Sequence, residues 1–238
     1  MKYLINEETQ RTIANSIDRA VKAVLAELPN HGTEEGLTPV LGHALMQQSF
    51  KSPGLSVAFN YRQLNKHSEE PHAGADGGFL VRVRNKDGLH QKAALFQAKL
   101  LKDNRPTRDH SMRFEEARRL QEQSSSMLAQ TNEAVAIFYT HENIYVVDAE
   151  HYRTGPISTI QRPLAQRRRL ITLGTYLGRW LPRCTRGDQD QRVISCVEHM
   201  DGFKKNLTMD IITNKPSIQW KNDTTERHWQ KPRHRIPL

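Results

Sequence analysis

Gly74-Ala-Asp-Gly-Gly-Phe-Leu-Val-Arg-Val-Arg84, then Asn85-Lys-Asp-Gly88, then Lys92-Ala-Ala-Leu-Phe-Gln-Ala-Lys99 is the stretch whose reading decides the fold. The first run alternates into a strand, the second segment is a turn, and the third is a second, more apolar strand. Together they predict a β-hairpin with an acid at one end and a Gln-x-Lys at the other. Side chains two apart on a strand share a face, so Gln97 and Lys99 point the same way. The turn folds that pair back beside Asp76. A carboxylate, an amide oxygen and an ammonium then converge on one point.

Those are the parts for metal-assisted phosphodiester hydrolysis. Hard divalent cations take oxygen ligands, commonly one or two carboxylates with water and substrate phosphate. Asp76 supplies a carboxylate and Gln97 an amide oxygen. Lys99 can hold a phosphate or orient an attacking water. The bland alternative is a surface hairpin with a solvated lysine. Two features weigh against it. The run from Ala93 to Leu101 is otherwise apolar, and a charge in a nearly buried strand is costly unless paired or used. Gly74, Gly77 and Gly78 crowd Asp76, and glycine in a strand often marks close approach by a ligand or another backbone.

Outward from the hairpin, residues 7–28 read as an amphipathic helix, with Ile13, Ile17, Val21, Val24 and Leu28 at three- and four-residue steps. Pro29-Asn-His-Gly32 ends it. Thr33 reads as the N-cap of a second helix running to about Phe50. Glu34 and Glu35 in its first turn suit the helix dipole by themselves. Residues 55–61 read as a strand, 63–72 as a loop, 112–127 as a helix, and 134–140 with 144–147 as another hairpin. Residues 165–182 read as a helix weakened by Gly174 and Gly178, and residues 207–213 as a late strand.

The Asp76, Gln97 and Lys99 pattern resembles the PD-(D/E)xK superfamily of restriction-endonuclease-like nucleases. It is closest to the Gln-x-Lys variant, as in Mrr-type enzymes and small phage-defence effectors. The resemblance covers about residues 31–147, and the family core runs helix, three strands, helix, strand. Ala75 stands where the family pattern has proline. The resemblance implies Asp76, Gln97, Lys99, Glu35 and Gln121 as catalytic residues, with Gln123 the alternative to Gln121. It implies that Mg2+ or Mn2+ is held by Asp76, Gln97, the Ala98 carbonyl and Glu35. The expected fold is α/β: a mixed central sheet flanked by helices over residues 1–150. A basic, mainly helical C-terminal extension over 151–238 is expected to follow it.

Charge points to the same class of partner. The net charge is +9, yet residues 1–160 balance, as do residues 193–218. The excess lies in 161–192, with eight arginines against two acids, and in 219–238, with five basic residues against two acids. A basic concentration beside a neutral core is the footprint of a nucleic-acid backbone. Arg167, Arg168, Arg169, Arg179 and Arg183 are the expected contacts, with DNA the preferred substrate. A catalytically inactive module that binds nucleic acid or an acidic protein is the alternative. The defence resemblance leaves room for a homo-oligomer or a partner defence protein.

Other classes lack a signal. No apolar run approaches the ~20 residues of a membrane helix. Glu7, Glu8 and Arg11 interrupt any secretory core, so a cytoplasmic location is expected. Cys184 and Cys196 are twelve apart, without Cys-x-x-Cys, which argues against structural zinc despite eleven histidines. Neither a nucleophile elbow nor a phosphate-binding loop is present.

Overall fold

The hairpin forms about the expected turn; its first strand begins at Gly77, later than the Gly74 read from the sequence, and its second is longer than expected. In the computed structural model, which describes residues 2–28, 33–64, 74–101, 111–165, 170–183, 186–202 and 204–219, strand β4 (Gly77–Asn85) pairs antiparallel with β5 (Gly88–Leu100). The turn closes with Asn85 opposite Gly88, and the Asp87 N–H donates to the Asn85 side chain at 2.9 Å. That side-chain-to-backbone bond is why asparagine favours such turns.

Around the hairpin lies an eight-stranded mixed sheet. Its other strands are β2 (Phe50–Ser52), β3 (Leu55–Gln63), β6 (Ala134–Tyr139), β7 (Ile144–Asp148), β8 (Ile171–Thr172) and β9 (Lys205–Thr213). The spatial order is β2-β3-β9-β4-β5-β6-β7-β8. Two pairs, β4 with β9 and β5 with β6, are parallel, and the other pairs are antiparallel. A small second sheet joins β1 (Lys2–Tyr3) to β10 (Ile218–Gln219).

Two helical layers cover the sheet, because alternate residues of every central strand are apolar on both faces. Phe79, Val81, Phe96, Ala98, Val135, Ile137, Leu207 and Met209 face a core closed by α1 (Glu7–Glu27) and α2 (Glu34–Met46). The same core takes in Leu173 of α6 (Leu173–Thr175) and Tyr176 and Leu177 of a π-helix (Tyr176–Trp180). On the opposite face, Leu80, Ala93 and Leu95 meet α7 (Gln191–His199) and Met127 of α3 (Phe114–Gln130). Further along that face Leu101, Ala136 and Phe138 pack on Ala117 and Leu120 of α3. They are joined there by Tyr152 of α4 (Glu150–Arg153) and Ile160 of α5 (Ile157–Ile160).

The α/β class and the flanked mixed sheet therefore stand as expected. The C-terminal part does not. Strand β9 inserts between β3 and β4, pairing with nine residues of one and eight of the other. Residues past 150 thus build the middle of the sheet, and no break in it falls at residue 150. Arg82 of β4 reaches Asp210 of β9 at 2.6 Å and Glu198 of α7 at 3.1 Å, which ties the inserted strand to the hairpin. Residues 165–182 are not one helix either. Their described part is a two-residue strand, a short turn of helix and the π-helix against α1.

Gly77 has a reason in this arrangement. A Cβ there would lie 2.6 Å from the Lys205 carbonyl oxygen of β9 and 2.6 Å from the Phe96 ring. The close approach expected near Asp76 is made by the protein's own backbone and core.

Candidate active site

Asp76 and Gln97 meet because β4 begins just after the acid while β5 runs on past it. The Asp76 N–H donates at 2.9 Å to the carbonyl of Phe96, the residue already paired with Gly77, so Asp76 sits just outside the end of the ladder. Its carboxylate lies beside Gln97. Its Oδ2 then accepts the Gln97 Nε2 at 2.6 Å and the Ala98 N–H at 2.8 Å. Two donors on one oxygen fix the carboxylate's orientation, and Oδ1 takes no hydrogen bond among the described residues.

The Ala98 carbonyl faces the same place. In an antiparallel pair a residue's N–H and C=O leave the strand on the same side. Leu95 and Leu101 point their N–H groups to the Glu133 and Tyr139 carbonyls, so odd residues of β5 serve β6 and even residues serve the β4 side. Ala98 is even, and beside it β4 has not yet begun. Its carbonyl opens next to Asp76 and, among the described residues, accepts only the Gln97 amide, at 3.4 Å.

Gln97 is 1 % exposed, and its Oε1 has no hydrogen-bond partner among the described residues. An unmet buried amide oxygen costs about 1–3 kcal/mol. Lys99 lies two residues on, half-buried, on the same face. Along β5, Gln97 and Lys99 fill the interval between Leu95, which packs with Met127, and Leu101, which packs with Leu120. Ser124 fills the matching interval on α3. It is 0 % exposed and its hydroxyl also lacks a partner among the described residues, as does the Gln123 Oε1. Gly74, two residues before Asp76, presses on this helix. A Cβ there would meet Ser126 at 2.8 Å and the Gln123 backbone at 3.0 Å, and its φ of +66° suits glycine.

Of the residues expected from the sequence, Asp76, Gln97 and Ala98 are joined by hydrogen bonds, and Lys99 follows two residues on along the same strand. Glu35 is exposed in the first turn of α2, on the layer opposite Gln97 and Lys99. It stands at the right end of the sheet. One turn on, Thr38 receives a 3.2 Å hydrogen bond from Tyr139 at the end of β6, beside Leu100.

Gln121 is not at the site. Its Nε2 donates to the carbonyls of Tyr152, Arg153 and Gly155 at 3.3, 3.4 and 2.9 Å, tying α3 to the end of α4. Of the two glutamines weighed, Gln123 is the one beside Gly74. Ser124 was missed. Its signal is a polar residue inside the apolar stripe of Leu120 and Met127.

The basic patch also needs correction. Arg183 is 8 % exposed with its guanidinium 5.1 Å from the Trp180 ring, and Arg186 is 6 % exposed. Arg186 pairs with Glu133 at 2.8 Å and Asp148 at 3.3 Å, and Tyr176 donates to Glu133 at 3.2 Å. Arg179 is half-buried. Arg167, Arg168, Arg169 and Cys184 lie outside the described residues, as does His72.

A hard divalent cation fits the Asp76 corner by donor chemistry. The corner offers one carboxylate, one buried amide oxygen without a partner and one backbone carbonyl. No cluster of three or more His, Cys, Asp or Glu side chains suited to a metal occurs among the described residues. A site of this kind would depend on water and substrate phosphate for its remaining ligands, as magnesium sites commonly do. No described helix is long and apolar enough to cross a membrane. No known protein family's model matches the chain, and no curated protein matches it.

Proposed function

We propose that this protein is a divalent-metal-dependent nuclease that hydrolyses phosphodiester bonds, with DNA as the preferred substrate and Mg2+ or Mn2+ as cofactor. The observation that carries the reading is the corner at the end of β5. There Asp76 is held by Gln97 and the Ala98 N–H, with the Gln97 Oε1 buried and unmet beside it. The element order α2, β2, β3, β4, β5, α3, β6 supports it, since it follows the core order of the PD-(D/E)xK superfamily apart from the added short strand β2. A phage-defence role rests on that resemblance alone.

Asp76 Oδ1, Gln97 Oε1 and the Ala98 carbonyl would hold the cation, and Glu35, on the opposite layer, has no part in it. The bound ion would polarise the scissile phosphate and favour ionisation of an attacking water. Gln97 Nε2 and the Ala98 N–H keep the Asp76 carboxylate from turning. Lys99 orients the attacking water or balances the charge that grows on the phosphate oxygens. Gln123, against Gly74, takes the phosphate-contacting role first expected of Gln121.

A second reading has one observation in its favour. Gln97 brings no charge to the cation, and its amide nitrogen is turned to Asp76. That suits a nuclease-like module that binds nucleic acid or an acidic protein without cutting. Incubation of single- and double-stranded DNA and RNA with Mg2+, Mn2+ or chelator separates the two. Cleavage should appear only with metal. Asp76→Ala and Lys99→Ala should each lose about 100-fold or more in rate, the scale of removing one preorganised charge. Both should keep wild-type circular dichroism. A folded variant that cuts at the wild-type rate removes its residue from the site.

A further inference from the structure

Past Lys99 the same face of β5 leads to a polar groove that the proposed chemistry does not use. Leu101, two residues on, packs with Met112 and Ile160. Just there a groove of about 520 Å³ is lined by Ser111, Met112, Ser158, Thr159, Gln161 and Arg162. Three hydroxyls, an amide and a guanidinium form its polar wall. The Met112 N–H donates to the Gln161 carbonyl at 2.8 Å, which pins the two walls together. Two residues from Met112, at the first position of α3, Phe114 is 55 % exposed. The two acids in that turn are engaged within the helix. Glu116 accepts the Arg113 N–H at 3.1 Å, and Glu115 pairs with Arg118 at 3.2 Å.

We infer that this groove takes an unpaired stretch of the nucleic-acid substrate, with Arg162 and the hydroxyls on its backbone and a base stacked on Phe114. The inference rests on the nuclease reading for the class of partner. Charge favours that occupant. The basic excess of residues 161–192 begins at Arg162, which lines the groove. An exposed aromatic ring beside cationic and hydroxyl groups is the usual platform for single strands, because every base has a stackable face. Bases inside an intact duplex have theirs covered, so the ring selects unpaired nucleotides, at an end, a flap or a melted site.

The test uses the full chain in an Asp76→Ala background, with a labelled 12-nucleotide single strand and the matching duplex. The single strand should bind more tightly. Phe114→Ala should weaken it about tenfold, the loss of one base stack, and leave duplex binding unchanged. Phe114→Trp should keep the affinity, and the fluorescence it adds should be quenched by the single strand. Arg162→Gln should weaken both and lower the salt slope by about one unit. Wild-type single-strand affinity in a folded Phe114→Ala variant, or added fluorescence that the strand leaves unchanged, overturns the inference. Metal-dependent, Asp76-dependent cleavage alongside Phe114-independent binding would sink the groove and spare the nuclease. Phe114-dependent binding without cleavage in either metal would do the reverse.

Discussion

Two regions of β5 bury polar side chains to the same depth and treat them in opposite ways. Near its start, Lys92 is 1 % exposed and its ammonium donates to the carbonyls of Arg183 and Arg186. Beside it the Arg186 guanidinium is closed in by Glu133 and Asp148. Asp188 accepts from Thr131 and from the Asn132 and Asp190 backbone at 2.8 Å each. Near the strand's end, Gln97 is equally buried, and its carbonyl oxygen meets no partner among the described residues. In the first region cations answer acids and carbonyls, although the Nε atoms of Arg183 and Arg186 also take no hydrogen bond among the described residues. The second is open on one side. The difference between them is one of charge: Arg186 and Lys92 lie against acids and carbonyls, whereas the Gln97 oxygen meets no donor among the described residues.

The largest effect should come from breaking the charged network. Arg186→Met leaves Glu133 and Asp148 buried without their cation. Removing one partner of a buried ion pair costs about 3–5 kcal/mol. Urea unfolding should show a loss of that order. A loss below about 1 kcal/mol, the range of exposed pairs, would mean the region is wetter than its burial indicates.

A smaller and opposite effect is expected at Gln97. Gln97→Leu removes an unmet oxygen and one donor to Asp76, so the melting temperature should stay near that of the wild type. The chemistry should change. Gln97→Glu should lower the metal concentration giving half-maximal cleavage, and Gln97→Ala should raise it, because a carboxylate binds a hard cation better than an amide. Unchanged metal dependence in both variants, or a large loss of stability in Gln97→Leu, would place Gln97 with the scaffold.

Asp18 on α1 supplies the mildest contrast, an unmet oxygen far from the corner. Its Oδ1 has no partner, and burial raises its carboxyl above the usual range, with Lys22 and Arg179 opposing. A carboxyl raised on folding contributes stability below its unfolded value of 3.8, and that contribution is lost as pH climbs through the folded value. Asp18→Asn should therefore match the wild type in acid and be slightly more stable at neutral pH. Stabilisation that shrinks with rising pH would refute this. Cleavage should not change.

The hairpin was legible because its signals are local. A turn sequence, an alternating run and a Gln-x-Lys are enough to set Asp76 beside Gln97. The neighbours of the hairpin were not. Residues 207–213 read as a strand, but nothing in them names β3 and β4 as partners more than a hundred residues away. The arginines failed for a related reason. Counted along the chain, Arg183 and Arg186 add to a basic patch. In space they answer Trp180, Glu133 and Asp148, all supplied by other parts of the fold. Gln121 and Gln123 both follow the lysine strand, and only the packing of Gly74 on α3 separates them.

The place of β9 also sets a schedule. During synthesis the ribosome releases β3, β4, β5, α3 and β6 well before residues 205–213. Until that segment emerges, β3 and β4 each present a long unpaired edge, the condition under which nascent sheets associate wrongly. The groups beside Asp76 are all translated by residue 124, but the sheet that must hold them rigid closes some eighty residues later. Translation order thus delays any competent corner until most of the chain has been made.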